Sequence, residues 1–168
     1  MKFTASIALL CLLTGCVQSS ATGVQAPPTK EPLERSSAVV AAQAGFETAR
    51  SLWQSRNLHT YSYSIVRQCY CTTDYTRPMR VDIRNGKVVA AIYTDDRSRV
   101  GATVVHHLRS IDAWFDRIEQ GYEKTYYRME VRYHPSLGYP QTLLLDKRER
   151  VADDEERVTI SHVTAGNG

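Results

Sequence analysis

At 168 residues the chain has the mass for about one domain around a single modest core, which excludes two full-size folded domains. Hydrophobic residues make up 42% and charged residues 23%, a globular composition that excludes collagen-like, coiled-coil and multi-span membrane architectures. Lys and Arg number 21 against 18 Asp and Glu, a formal charge of +3 that is too slight and too scattered for a nucleic-acid binder, so no nucleic-acid partner is expected.

The chain opens on an export pattern. Lys2 supplies a positive start and residues 5–13 a short apolar stretch, too short to span a bilayer. The stretch runs into Leu13-Thr14-Gly15-Cys16, which resembles the lipobox of bacterial lipoproteins. That resemblance implies cleavage before Cys16, so that residues 1–15 are a signal peptide and Cys16 becomes a lipidated N-terminus. Several acyl chains, at about 0.8 kcal/mol per buried methylene, make a long-lived membrane anchor. Val17 rather than Asp follows the cysteine, which in Gram-negative lipoproteins implies the outer membrane, here on its periplasmic face. The alternative is an ordinary secretory signal with a cysteine at its cleavage site. Residues 16–37, rich in Ser, Thr and Pro and without apolar periodicity, read as a flexible tether, and residues 38–168 as one domain.

Across residues 37–57, Val39, Val40, Phe46, Ala49, Leu52 and Trp53 recur at helical spacing, which predicts an amphipathic helix whose continuity Gly45 weakens. Residues 60–70 alternate Tyr61, Tyr63 and Ile65 against Ser62 and Ser64, a strand whose Tyr61/Ile65 face would also carry Cys69 and Cys71 if it stayed regular. Asn85-Gly86 predicts a type I′ hairpin. A two-residue loop sets Arg84 opposite Lys87, so that Met79, Val81 and Ile83 share a core face with Val88, Ala90 and Ile92. The reverse face then holds Arg80, Asp82 and Arg84 with Val89, Ala91 and Tyr93, a mixed surface suited to contact with a partner.

Residues 94–109 lack a clean period and read as a long connection. Ser110 is placed as a helix cap with Asp112 in the first turn, and Ile111, Trp114, Phe115 and Ile118 follow helical spacing as far as Gly121. Tyr127, Met129, Val131 and Tyr133 alternate with Arg128, Glu130, Arg132 and His134 as a half-wet strand. Gly138-Tyr139-Pro140 makes a turn. Residues 142–146 and 157–163 are two last strands joined by a charged connection. The order helix, three strands, helix, three strands, with short connections, predicts an α+β fold: a mostly antiparallel sheet of about six strands with two helices covering one face.

Several separated motifs coincide along residues 46–163: Tyr61-x-Tyr63 leading to Cys69-x-Cys71, Asn85-Gly86-Lys87-Val88, Ser110-Ile111-Asp112 with Phe115, Gly138-Tyr139-Pro140, and Asp153-Asp154-Glu155. In that order they resemble a family of small bacterial lipoproteins and secreted proteins known only as a domain of unknown function. The resemblance implies the fold and the exported, cell-envelope location. It carries no reaction, because the family has no established activity.

Cys69-Tyr70-Cys71 is the pair most suggestive of chemistry. Residues two apart on a regular strand have Cα atoms about 6.5–7 Å apart, at the upper edge of disulfide geometry, so a bond requires a bulge or turn. An oxidising compartment favours that structural disulfide. The alternatives are a copper(I) or zinc site on two thiolates completed by His106, His107 or His134, thiol redox chemistry, or two buried free thiols. Adjacent His106 and His107 point to opposite sides of an extended segment and read as a solvated pair, and His59 and His162 have no ligand spacing. The acidic run 153–156 has no EF-hand spacing and lies among arginines, as a solvated loop would. The chain contains no Gly-rich phosphate loop, no G-x-S-x-G and no H-E-x-x-H, so it calls for no catalytic residue and no cofactor. The expected function is non-catalytic: an envelope domain, anchored to the membrane by lipid, that binds a protein partner through Arg80, Val89, Ala91 and Tyr93, with Tyr139 at its turn. A metal-binding or thiol-redox lipoprotein using Cys69 and Cys71 is the alternative.

Overall fold

The computed structural model describes residues 37–124 and 126–166, with the side chains of residues 37–41 and 152 left aside. The signal peptide 1–15, Cys16 and residues 17–36 of the tether lie outside the described residues. Among the described residues, six strands form one antiparallel sheet in the order β3-β2-β1-β6-β5-β4, accompanied by helices, an α+β fold. The strands are β1 Tyr61–Cys69, β2 Met79–Arg84, β3 Lys87–Tyr93, β4 Arg128–Tyr133, β5 Pro140–Asp146 and β6 Glu156–Ala165. The helices are α1 Ser37–Ser55, α2 Thr73–Thr76, α3 Ala102–Val105 and α4 Ile111–Glu123. No helix among the described residues is long and apolar enough to cross a membrane.

Helix α1 runs unbroken through Gly45 and buries Phe46, Ala49 and Trp53, spaced three and four residues apart on one stripe. In α4 the buried stripe is Ile111, Trp114, Phe115 and Ile118. Its first turn is closed twice: Ser110 Oγ accepts from the Ala113 N–H at 3.2 Å, and the Tyr61 hydroxyl on β1 accepts from the Ile111 N–H at 2.8 Å. Two of the four donors that any helix start leaves free are thereby satisfied from within the protein. The stripes of both helices join alternate residues of the strands, Tyr61, Tyr63, Ile65, Met79, Val81, Ile83, Leu143, Leu145, Val158 and Ile160, in one core. At the surface, Arg50 of α1 bridges Asp116 and Glu119 of α4 at 3.0 Å each, and the Trp53 Nε1–H donates to Asp112.

Three local expectations are corrected. Gly121 does not end α4: a Cβ there would lie 2.6 Å from Met129 Sδ, so the glycine lets the helix pass close to the start of β4 and continue to Glu123. The connection at 94–109 is not structureless, since α3 lies within it and Val100, Val104 and Leu108 are buried. The largest correction concerns the hairpin. Asn85 and Gly86 have φ of 49° and 71°, as a type I′ turn requires, and Arg84 does face Lys87. A bulge then falls between Asp82 and Ile83, pairing Asp82 with Ala90 and Val81 with Ala91, so Val89 is the extra residue. Beyond the bulge every β3 side chain changes face. Ala91 and Tyr93 therefore enter the core, Ala90 is exposed and Ile92 is half-buried.

The core tyrosines make stability pH-dependent. Tyr63 is fully buried and donates to the Arg109 carbonyl, and burial pushes its hydroxyl up to about 12 from an ordinary value of 10.0. Burial raises Tyr61 and Tyr133 as well. A raised tyrosine supports the fold fully below pH 10, where both states keep the proton; as pH rises the unfolded chain ionises first, and the support is lost through pH 12. The expected loss for Tyr63 alone is about 3 kcal/mol at 1.36 kcal/mol per unit. Urea denaturation from pH 9 to 12 should show it, with a shallower fall for Tyr63→Phe; equal slopes would refute the assignment.

Candidate functional site

Of the four hairpin residues expected to form a contact surface, two are exposed and two are buried. Arg80 is exposed, donating to Ser62 Oγ at 2.6 Å, and Val89 is 51% exposed on the bulge. Ala91 and Tyr93 are only 5% and 4% exposed, so neither is available to a partner. The Tyr93 hydroxyl donates inward to the Asp74 carbonyl, with the Arg77 guanidinium 3.7 Å from its ring centroid. Tyr139 is buried too, stacked on His134 at 4.8 Å. The fold separates these residues because the bulge and the β4–β5 turn each direct a tyrosine into the interior.

Cys69 and Cys71 lie elsewhere, at the far end of β1. The strand stops at Cys69 and the backbone turns back, with the Cys71 N–H donating to the Cys69 carbonyl at 2.9 Å. This turn brings the Cα atoms to 5.3 Å, inside the range that a disulfide spans, and the two sulfurs are joined. Among the described residues no group of three or more His, Cys, Asp or Glu is placed to hold a metal ion.

Beside the disulfide opens a cleft of about 310 Å³. Arg67 of β1, Arg109 from the segment before α4, Arg117 and Trp114 of α4, and Asp154 with its side chain only 9% exposed form its inner wall; Tyr70, Cys71, His107, Lys147, Asp153 and Glu155 form its rim. Arg67 follows Tyr61, Tyr63 and Ile65 on the core-facing side of β1 and is only 6% exposed. Its Nη2 donates to the His107 carbonyl at 2.8 Å, and its guanidinium lies over the Trp114 ring, 5.8 Å from the centroid. Arg109 lies over the same ring at 5.7 Å. Glu156, which opens β6, is half-buried and receives Arg117 Nη2 at 2.7 Å. The acidic run is therefore not uniformly solvated: Asp154 pairs with Arg148 at 2.7 Å, whereas Glu156 turns inward to the arginines. Burial pulls Arg67 and Arg109 below the usual arginine value, and for Arg109 the neighbouring Arg117 adds to the effect.

Of the residues singled out from sequence, this cleft gathers Cys69, Cys71, His107 and residues 153–156, and it excludes Arg80, Val89, Ala91, Tyr93 and Tyr139. The arginines were missed. One signal did point to them, since Arg67 continues the apolar alternation of β1, and a charged group at a core-facing position must find a partner or a purpose.

An antiparallel α+β domain with an arginine-lined cleft at one end of its sheet defines a class of architecture rather than an activity. The chain belongs to a family of unknown function (DUF6174), whose model matches residues 45–165. No curated protein and no solved structure matches it.

Proposed function

We propose that this chain is a lipid-anchored protein of the bacterial cell envelope, attached through Cys16 at the periplasmic face of the outer membrane, whose folded domain is a non-catalytic binding or accessory module. Recognition takes place in the cleft beside Cys69 and Cys71, not on the hairpin. The observation that carries this reading is the gathering of Arg67, Arg109 and Arg117 around an open hollow, where converging polar groups in a concave site favour a ligand. The anchor rests on Leu13-Thr14-Gly15-Cys16.

Photo-crosslinking in intact cells tests the reading. A photoreactive side chain in place of Tyr70, which is 83% exposed on the cleft rim, is expected to form adducts that Arg109→Gln removes. The same group at Val89 is expected to form none. Adducts from Val89 alone, or Tyr70 adducts indifferent to Arg109→Gln, would refute it. Labelled palmitate should enter the wild-type chain and not Cys16→Ser. A second reading, thiol exchange at the disulfide, is favoured by the exposure of Cys71 on the same rim, and it predicts that Cys69→Ser with Cys71→Ser abolishes function while Arg109→Gln does not.

A further inference from the structure

A guanidinium carries five N–H donors and no acceptor, and taking it out of water is costly unless carboxylates or carbonyls receive those donors. Three guanidinium groups from three segments converge on the inner wall of the cleft, and of the four acids that also line it only Glu156 is hydrogen-bonded to one of them. Glu156 Oε2 is bonded to Arg117, but Oε1 stands 3.8 Å from Arg67 Nε, beyond hydrogen-bond reach. Arg67 Nε and Arg117 Nε are both buried without a hydrogen-bond partner. Arg109 contacts the Trp114 ring and has no carboxylate among the described residues within ion-pair distance. None of the remaining acids is paired with an inner-wall arginine. Asp154 Oδ2 accepts from Arg148 at 2.7 Å while its Oδ1 is buried without a partner, Glu155 lies 3.7 Å from Arg157, and Asp153 is exposed.

We propose that the cleft binds an oxyanion, a carboxylate or phosphate group received by Arg67, Arg109 and Arg117. The inference rests on the reading of the cleft as the recognition site and names the chemical class it takes. Planar guanidinium forks match oxyanion geometry with paired N–H···O bonds, and partial burial strengthens each bond relative to water. Glu156 acts as a resident competitor: it holds Arg117 in place in the empty cleft and weakens the anion that enters.

The test is a titration of the purified full chain in detergent with sodium phosphate and, separately, sodium acetate, at ionic strength held constant with chloride. Arginine Nε–H and backbone amide resonances at Arg67, Tyr70, His107 and Arg109 report binding by NMR. Saturable shifts are expected with at least one anion, and the arm that saturates at lower concentration identifies phosphate or carboxylate chemistry. Arg109→Gln, at a half-buried position without an ion pair, should keep the fold and weaken binding about tenfold or more. Glu156→Gln should tighten it by about the same factor. Shifts that do not saturate in either arm, or saturation unchanged by Arg109→Gln, would overturn the proposal. If neither anion binds while a neutral sugar or a primary amine shifts the same resonances, the cleft remains a binding site and the oxyanion class is wrong. If nothing shifts them, both readings fall.

Discussion

Alanine at Gly138 is expected to lower the free energy of unfolding by about 3 kcal/mol or more, among the larger effects of any single substitution. Gly138 has φ of 81°, a conformation that costs an L-residue about 1–2 kcal/mol. The greater part of the loss is steric. A Cβ at this position would lie 2.3 Å from the Ala49 carbonyl oxygen, 2.8 Å from Trp53 N and 3.1 Å from Leu52 Cβ. Two of those atoms are α1 backbone, which cannot turn aside as a flexible side chain can, so the helix must retreat and carry Phe46 and Trp53 out of the core. Gly45 is the control within the same helix: a Cβ there meets nothing within 4 Å, and Gly45→Ala should be neutral or stabilising by up to about 1 kcal/mol. Urea denaturation of both variants measures the contrast. A Gly138→Ala loss below about 1 kcal/mol would mean that α1 does not pack on the β4–β5 turn as described.

Phe115→Ala is expected to cost about 3–5 kcal/mol. The ring is fully buried on α4, meets Phe46 of α1 edge-on at 5.9 Å and stacks on Tyr133 of β4 at 6.0 Å with the planes 6° apart. It therefore joins both long helices to the outer half of the sheet, and truncation leaves a cavity with walls from three elements that cannot all close on it. Phe115→Leu retains most of the volume and should cost about 1.5 kcal/mol or less. The dependence of unfolding on urea should keep its slope in both variants, because the surface exposed on unfolding is nearly the same. An alanine variant within about 1 kcal/mol of wild type would show that the ring does not sit at this junction.

The candidate site was only partly legible. Cys69 and Cys71 stood out by type and spacing, and the need for a turn between them followed from strand geometry, which the hydrogen bond from Cys71 N to the Cys69 carbonyl provides. The arginines did not stand out, because the 21 basic residues are spread along the chain and nothing local distinguishes Arg109 or Arg117 from the rest. Their convergence depends on pairings far apart in sequence: β1 beside β6 brings Arg67 to Glu156, and α4 brings Arg117 to the same carboxylate. The hairpin shows the opposite failure. Its turn chemistry is local and was read correctly at Asn85-Gly86, yet one extra residue at Val89 exchanged the faces of Ala91 and Tyr93.

What the sequence by itself determined was the set of local choices: the apolar stripe of Ile111, Trp114, Phe115 and Ile118 behind the Ser110 cap, the alternation of Tyr61, Tyr63 and Ile65, and the positive-φ turn at Asn85-Gly86. These follow from periodicity and backbone preference within a few residues, and they were enough to reach an antiparallel α+β fold. Only the tertiary structure decided the order of strands, the bulge and the cleft. Each of these depends on distant segments: Tyr93 turns inward where it can be buried and hydrogen-bonded to the Asp74 carbonyl, and Arg67 lies buried because Trp114 and the His107 carbonyl arrive from elsewhere in the chain to receive it, with Glu156 3.8 Å away.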